Sequence, residues 1–223
     1  MTKKRKNVPN WKPTVIAIAG ASASGKTLFA KTIYRELIDE LGEEGIVIIN
    51  EDAYYRDQSH LALAERENTN YDHPNAFEHE LLSQHITALC NNEAVEVPQY
   101  CYKTHTRTDE TTAISPKRII LVEGILLLNN PDLRDRFDIK IYMDTPLDIC
   151  LLRRISRDVN ERGRSVDSVT KQYLSTVRPM FYQFVEPSKQ WADLVITRGG
   201  KNRIALDVVK ANIHQILQKH LKE

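Results

Sequence analysis

The chain has 223 residues and a mass of 25.7 kDa, with 31 lysines and arginines against 30 aspartates and glutamates. With 41% apolar and 27% charged residues, it has the composition of one folded domain and not of a disordered or fibrous chain. A net charge of +1 argues against a protein that tracks nucleic-acid polymers, since such proteins carry a basic excess. A charged substrate must therefore be bound by a local basic cluster.

The ends of the chain and its cysteines favour a cytoplasmic protein. The three cysteines are not spaced like a metal or redox motif, which indicates free thiols. A basic stretch at residues 3–6 precedes an apolar run, but that run (residues 15–19) is too short for a secretion signal. We expect residues 1–13 to be a flexible basic tail, and we expect no membrane partner.

The first predicted elements are a strand, a glycine-rich loop, a helix and a second strand. Residues 15–19 form a short apolar run that is typical of a buried parallel strand. A helical apolar pattern starts at Leu28 and stops at Gly42, and residues 46–49 form the next strand. This order predicts a βαβ unit with a right-handed crossover.

The middle of the chain predicts two helices and a hairpin. Residues 61–66 show a weak helical pattern, and residues 76–89 show a stronger one. Residues 95–102 and 104–114 are rich in Val, Tyr and Thr and alternate apolar with polar positions. We interpret residues 95–114 as a hairpin arm that projects from the core.

Strands and helices alternate again toward the C-terminus. Further strands are predicted over residues 118–122, 139–143 and 194–196, and further helices over residues 147–159, 166–177 and 204–221. Pro179 is expected to end the second of these helices. The last helix is expected to carry one apolar side, made by Ile204, Val208, Ile213, Ile216 and Leu217. Together the elements predict one α/β domain, residues 14–221, with helices on a mostly parallel five-stranded sheet.

The loop after the first strand has the spacing of a phosphate-binding loop. It reads Gly20, Ala21, Ser22, Ala23, Ser24, Gly25, Lys26 and Thr27, and it lies between a predicted strand and helix. Glycines let backbone N–H groups surround phosphate oxygens, and the helix N-terminus adds positive charge there. Lys26 is expected to reach the β- and γ-phosphates and Thr27 to ligate Mg²⁺. This phosphate loop predicts a nucleoside-triphosphate site.

Three acids follow predicted strands. Glu123 and Asp144 both could complete the Mg²⁺ shell, and we prefer Glu123 because Lys140 indicates a wetter strand before Asp144. Asp52 comes three residues after the second strand, at the edge of the sheet where ligands bind in α/β folds. It could be the base that orients an attacking hydroxyl, or else a solvated acid or helix cap.

Arginines are concentrated in one short segment. Five arginines and no lysine lie within twelve residues: Arg153, Arg154, Arg157, Arg162 and Arg164. Guanidinium groups stabilise the charge of a phosphoryl group in transfer while water is excluded. With Gly163 as a hinge, residues 153–166 therefore resemble a closing lid. The alternative is a solvated helix face paired with Asp158 and Glu161.

Several further blocks carry a family resemblance. These blocks are residues 52–56, 71–77, Tyr100 with 105–107, 122–125, 160–164, 178–181, 186–187 and 198–202. In this order and spacing the chain resembles the uridine kinase (uridine–cytidine kinase) family, most closely the bacterial enzymes, over residues 15–217. The resemblance implies a three-layer P-loop kinase fold, with the hairpin arm over the substrate site and an arginine lid.

The activity that the resemblance implies is transfer of the γ-phosphoryl group of ATP or GTP to the 5′-hydroxyl of uridine or cytidine, giving UMP or CMP. Mg²⁺ would be the cofactor. The resemblance also implies a homotetramer, while the net charge and the short apolar runs predict neither a nucleic-acid polymer nor a membrane as partner.

The resemblance assigns residues to four roles: catalysis, metal binding, donor binding and nucleoside binding. Catalysis would fall to Asp52, Lys26, Arg157 and Arg162, with Thr27, Glu123 and Asp52 near the metal. The donor nucleotide would be held by the phosphate loop, Arg164 and Asn202. The nucleoside would be bound by Asp52, Tyr55, Tyr71, Asp72, Tyr100, Tyr102, His105, Arg154, Arg157 and Gln172. Within that set, Asp72 would bind the ribose diol.

The base-reading pair would be Tyr100 and His105. A neutral histidine donates or accepts at a ring nitrogen by changing tautomer, and a tyrosine hydroxyl also does either. We therefore expect both pyrimidines to be substrates.

Two other classes of protein would share the phosphate loop. Another kinase with the same phosphate loop, of phosphoribulokinase or pantothenate kinase type, would share Asp52 but would not need Tyr100 and His105. A nucleotide switch or motor would show a guanine-binding or switch motif, and the sequence has none.

Overall fold

The structure is a computed structural model that describes residues 11–42 and 45–220. Most of the predicted basic tail, residues 1–10, lies outside the described residues, as does residue 221 at the predicted domain end. Within the described ranges, none of the helices combines the length and the apolar character needed to cross a membrane.

Seven strands are found in the described part of the chain. They are β1 (Thr14–Gly20), β2 (Ile46–Asn50), β3 (Val95–Cys101), β4 (Thr106–Ile114), β5 (Ile119–Gly124), β6 (Ile139–Asp144) and β7 (Leu194–Thr197). Five of them form a parallel sheet in the order β2-β5-β1-β6-β7. The other two, β3 and β4, pair antiparallel as a separate hairpin. The predicted five-stranded sheet and hairpin arm are confirmed.

Helices connect these strands. They are α1 (Lys26–Leu41), α2 (Leu63–Glu67), α3 (His79–Cys90), α4 (Pro131–Arg134), α5 (Leu147–Arg162), α6 (Val166–Gln172), α7 (Arg178–Met180), α8 (Glu186–Ser188) and α9 (Arg203–His220). Short 3₁₀ turns lie at Glu51–Tyr54, Pro74–Ala76, Lys189–Trp191 and Gly199–Lys201.

The sheet is buried on both faces. Ile16 and Ile18 of β1 pack with α1 and α9 in one fully buried cluster. Val15 and Ala17, which point to the other face, pack with α3 in a second cluster. Burial on both sides explains why the strands are continuously apolar, and it produces the predicted three-layer α/β fold.

The apolar faces predicted for α1 and α9 are only partly the buried ones. Leu28 is 40% exposed, and the buried face of α1 starts one residue later at Phe29. Ile204 and Val208 of α9 are 76% and 54% exposed. The buried face of that helix is made by Leu206, Val209, Ile213 and Leu217. One residue in a helix corresponds to a rotation of about 100°, so a small error of phase exchanges the two faces.

Pro179 does not end the helix that starts at Val166, contrary to the prediction. Helical backbone continues through two π-helical turns, Tyr173–Val177 and Phe181–Val185, as far as Ser188. Each π-turn comes shortly before a proline, Pro179 or Pro187. A π-turn changes which carbonyl faces the proline ring, so the clash that breaks a regular α-helix is relieved.

The parallel strands bring three loops to one edge of the sheet. Asn50 of β2 is in register with Glu123 of β5, and Ala19 of β1 with Gly124. The phosphate loop, the turn that carries Asp52 and the end of β5 therefore emerge side by side, in the crevice where α/β folds bind ligands.

Candidate active site

The phosphate loop is shaped by two glycines. Gly20 has φ of 140°, and a Cβ there would lie 2.6 Å from the carbonyl oxygen of Met143. Gly25 has φ of 106°, and a Cβ there would lie 2.6 Å from the backbone nitrogen of Gly200. Both positions need glycine because the loop fits between β6 and the 199–201 turn.

Lys26 folds back over this loop. Its Nζ donates a hydrogen bond to the Ala21 carbonyl at 2.8 Å, and the side chain is buried. Burial lowers the pKa of Lys26, while the neighbouring Glu123 and Asp52 carboxylates oppose that shift. The ammonium thus lies between the loop and two acids, where a phosphate group would join it.

Thr27 and Glu123 meet at the start of α1. The Thr27 hydroxyl donates to Glu123 Oε1 at 2.7 Å. Burial raises the pKa of Glu123, and Lys26 and the Thr27 hydrogen bond act against this. The competing acid, Asp144, instead accepts from Lys189 Nζ at 2.5 Å. The geometry thus favours Glu123 over Asp144.

These oxygen donors fit Mg²⁺, which takes few protein ligands and completes its shell with phosphate and water. In residues 11–42 and 45–220 no group of three or more His, Cys, Asp or Glu side chains is placed to hold a metal. The oxygens of Thr27 and Glu123 are therefore suited to an ion that arrives with the donor nucleotide.

Asp52 lies in the 3₁₀ turn after β2 and is partly buried. Its Oδ2 accepts a hydrogen bond from the Tyr102 hydroxyl at 2.5 Å. The Arg162 guanidinium lies over the Tyr102 ring, 4.1 Å from the centroid. The hairpin arm and the arginine lid thus meet above Asp52.

One cleft of about 1080 Å³ contains all of these groups. Lys26, Thr27 and Glu123 line it together with aromatic residues of the hairpin arm. Its volume is at the upper limit of single-ligand pockets, which suits two substrates bound together.

The aromatic wall of the cleft is formed by four rings. Tyr55 packs edge-on against Tyr71 with centroids 5.2 Å apart, and Tyr100 lies 4.9 Å from Tyr55. His105 stacks on Tyr71 at 5.4 Å. The Tyr71 hydroxyl donates to the Arg66 carbonyl at 2.9 Å, so Tyr71 offers the cleft its ring rather than its hydroxyl.

His105 combines an unusual backbone with a perturbed side chain. Its φ of 51° lies in the left-handed region, which directs the residue from the arm into the cleft. Burial lowers the pKa of His105, with Arg164 and Arg162 adding to this and Glu67 opposing it. The imidazole is therefore neutral at physiological pH, as the base-reading role requires.

Asp72, Arg154 and Gln172 come together beside the phosphate loop. Arg154 donates to the Ser22 hydroxyl at 2.9 Å and to Gln172 Oε1 at 3.0 Å. Burial raises the pKa of Asp72, and the charge of Arg154 lowers it. The structure thus places these three predicted nucleoside residues within one part of the cleft.

Asp158 lies at the centre of the arginine lid, and its pairing with the arginines, given above as the alternative, is found with the acid buried. Its carboxylate is fully buried and forms ion pairs with Arg157 at 2.9 Å, Arg162 at 3.4 Å, Arg164 at 3.5 Å and Arg154 at 3.7 Å. The alternative of a solvated helix face does not hold for this acid. In the sequence, the i,i+4 spacing of Asp158 from both Arg154 and Arg162 indicates these ion pairs.

Asn202 is placed differently from the prediction. Its Oδ1 accepts from the backbone N–H of Ala205 at 3.2 Å, and its Nδ2 donates to the Thr197 carbonyl at 3.0 Å. The side chain thus caps α9, because asparagine at this position satisfies a free helical N–H group. From the same loop, Arg198, Gly200 and Lys201 line the cleft instead.

Sequence comparison places the chain among known proteins. Residues 15–205 match the Phosphoribulokinase / Uridine kinase family. The uridine kinase of Vibrio cholerae serotype O1 is 60% identical over 204 residues, which cover 92% of this chain and 96% of that protein. The uridine kinase of Shewanella piezotolerans is 62% identical over 205 residues, which cover 92% and 97%.

Two solved structures share the fold. A putative fructose transport system kinase from Silicibacter sp. TM1040 superimposes with a TM-score of 0.66 at 19% identity, over 87% of this chain and 93% of that one. A possible uridine kinase from Bacillus stearothermophilus gives a TM-score of 0.54 at 21% identity, over 85% and 91%. At these identities the two structures support the kinase-type fold alone.

Proposed function

The chain belongs to the uridine kinase family and is a phosphotransferase, and from that premise we propose its reaction. It transfers the γ-phosphoryl group of ATP or GTP to the 5′-hydroxyl of uridine or cytidine, with Mg²⁺, and yields UMP or CMP. The observation that carries this proposal is the single cleft lined together by the phosphate loop, a set of aromatic side chains and Asp52.

The donor nucleotide is bound by the phosphate loop. Lys26 and the loop N–H groups neutralise the phosphates. Thr27, Glu123 and Asp52 would supply the protein oxygens for Mg²⁺, which would neutralise part of the charge on the donor phosphates. Arg164 and the 198–202 loop bind the rest of the donor, the loop through its backbone and Lys201 rather than the Asn202 side chain.

Asp52 is the proposed base. A 5′-hydroxyl would replace the Tyr102 hydroxyl as the donor to Asp52 Oδ2. The 5′-oxygen bonds to the γ-phosphorus, the bond from that phosphorus to the β,γ-bridging oxygen breaks, and the hydroxyl proton passes to Asp52. Arg157 and Arg162 stabilise the charge on the group in transfer.

The nucleoside is held from two sides. Asp72 accepts from the ribose hydroxyls, with Arg154 and Gln172 beside it. Tyr55, Tyr71 and Tyr102 enclose the sugar and base, and the side chains of Tyr100 and His105 read the pyrimidine edge. Except for Tyr102, which is exposed, these polar groups are buried or half-buried in the cleft, where an unpaired partner is costly.

A coupled assay of ADP and GDP release tests the function. The full chain is supplied with ATP or GTP and a panel of nucleosides, with and without Mg²⁺. Release that depends on uridine or cytidine and on Mg²⁺ is expected. Asp52→Asn should lower kcat at least about a hundredfold, with a smaller change in KM for uridine. Nucleotide consumption without any acceptor would instead indicate a switch or motor.

A cytoplasmic homotetramer is the remaining part of the proposal. Several apolar side chains are exposed, among them Leu152 at 64%, Leu174 at 60% and Ile204 at 76%. A second copy could cover side chains of this kind in the assembly that the family resemblance implies. Light scattering on the purified chain measures the assembly directly.

A further inference from the structure

Glu51, the residue before Asp52, is an acid with no exposed surface. Its Oε2 accepts hydrogen bonds from two successive backbone N–H groups, Ile125 at 2.6 Å and Leu126 at 3.0 Å. Its Oε1 lies 2.8 Å from Nε2 of His79, which is also buried. A carboxylate is costly to bury, and here both of its oxygens are bonded.

The backbone opposite Glu51 is shaped to receive it. A Cβ on Gly124 would lie 2.2 Å from Glu51 Oε2 and 2.3 Å from its Cβ. Any side chain at that position would therefore displace the carboxylate. Glycine at position 124 is explained by this contact.

The two segments that Glu51 joins each carry a carboxylate of the cleft. Asp52 follows Glu51 directly, and Glu123 comes two residues before Ile125. The strands that deliver them are in register, with Asn50 beside Glu123. The Glu51 side chain is thus a cross-link between the turn that bears Asp52 and the loop that follows Glu123.

His79 connects this cross-link to the aromatic wall. Its ring stacks on Phe77 with centroids 5.2 Å apart and planes 10° apart. Phe77 stacks in turn on Tyr55 at 4.3 Å. A continuous series of contacts therefore runs from Tyr55 in the aromatic wall through Phe77 and His79 to the Glu51 carboxylate.

We propose that Glu51 is a positioning residue for phosphoryl transfer, which fixes Asp52 relative to Glu123 and is itself oriented by His79. The proposal rests on the roles given to Asp52 and Glu123 under the proposed function. An apolar residue of similar size would fill the space, but it would leave two backbone N–H groups without an acceptor. The carboxylate therefore supplies a rigid connection that packing alone does not.

The test uses the full chain with Glu51→Ala, Glu51→Gln and His79→Asn. Glu80→Gln is the matched control, because Glu80 neighbours His79 in α3 but is exposed and pairs only with the exposed Arg56 among its described ion pairs. For each protein, kcat, KM for uridine, the Mg²⁺ concentration for half-maximal rate and the melting temperature are measured.

Glu51→Ala should lower kcat about a hundredfold and raise the Mg²⁺ requirement, with KM for uridine within about twofold, because a displacement of about 1 Å has effects of that size. Glu51→Gln should recover much of the rate, since its amide oxygen still accepts from the backbone and its amide nitrogen can donate to a neutral His79. The kcat of His79→Asn should lie between those of Glu51→Ala and Glu51→Gln. Glu80→Gln should have the kcat and the Mg²⁺ requirement of the unmodified enzyme.

A merely structural role would lower the melting temperature of the variants and leave kcat and the Mg²⁺ requirement of the folded protein unchanged, which overturns the proposal. If Glu51→Ala does not fold, Glu51→Gln and His79→Asn decide in the same way. An unmodified chain without nucleoside-dependent ADP release would defeat the proposed function instead, so the two failures are distinguishable.

Discussion

Asp72 shows how burial turns a common residue into a selective one. It is 7% exposed, and burial raises its pKa while Arg154 lowers it. A buried carboxylate that accepts from ribose hydroxyls is left partly unpaired when one hydroxyl is missing. In the proposed ribose-binding role, the selectivity of Asp72 would follow from the cost of that unpaired oxygen.

We predict that kcat/KM for cytidine exceeds that for deoxycytidine at least about a hundredfold, because sites built to bond a hydroxyl reject analogues that lack it. Asp72→Asn should lower activity on cytidine more than on deoxycytidine and so narrow the ratio. Steady-state kinetics with cytidine and with deoxycytidine measure this ratio of kcat/KM in both proteins. Equal activity of the unmodified enzyme on both would contradict the role of Asp72.

The pH dependence of substrate choice is predicted from His105. Burial lowers its pKa below the usual value near 6.5, so the ring is neutral above that pH and gains a proton only in acid. The protonated ring donates at both nitrogens and can no longer suit uracil and cytosine alike. The ratio of kcat/KM for the two nucleosides should be constant from pH 7 to 9 and change on acidification toward pH 5.

His105→Gln is the matched variant for that experiment, because an amide keeps a donor and an acceptor but does not titrate in this range. For His105→Gln, the ratio of kcat/KM for uridine to that for cytidine should differ from the ratio of the unmodified enzyme. It should also stay constant with pH. A pH-dependent ratio that persists in His105→Gln would assign the titration to another group.

At the scale of elements, α5 and the turn after it form the arginine lid around one acid. Asp158 pairs with four arginines while it is fully buried, so its charge sets the spacing of their guanidinium groups. Gly163, with φ of 66°, ends α5 and lets Arg164 fold back toward the same carboxylate.

Asp158→Ala should lower the free energy of unfolding by about 3–5 kcal/mol, because it removes the partner of the buried Arg154 and of three half-buried arginines. Asp148→Ala, an exposed acid in the first turn of the same helix, is the control and should change stability little. Urea unfolding of both proteins gives the comparison. Similar stabilities for the two variants would show that the arginines do not need Asp158.

At the scale of the whole molecule, the cleft is assembled from segments far apart in the chain. The phosphate loop, the turn after β2, the hairpin arm and the arginine lid all line it. A nucleotide that bridges them stabilises the folded state in proportion to its affinity, since it does not bind the unfolded chain.

Mg²⁺ with ATP at a hundred times its dissociation constant should add about 2.7 kcal/mol of stability and raise the melting temperature by about 5–10 °C. Lys26→Ala should lose most of this shift at the same concentration. Lys31→Ala, an exposed lysine on the same helix, should keep it. Thermal unfolding followed by fluorescence measures all three proteins. An undiminished shift in Lys26→Ala would place the nucleotide elsewhere.

The sequence alone determined the order of strands and helices, the parallel sheet, the phosphate loop and the family. These follow from local patterns: apolar runs, the spacing of Gly20, Gly25 and Lys26, and short blocks such as residues 71–77. The phase of α9 and the course of the helix through Pro179 did not follow, because neighbouring elements and π-turns decided them.

Only the tertiary structure decided which polar side chains pair with which partners. Glu51 and Asp158 looked like ordinary charged residues beside better candidates, and Asn202 looked like a ligand contact rather than a helix cap. The reason is physical: the role of a polar group depends on its burial and on partners brought close by folding, and neither is encoded in its sequence neighbours.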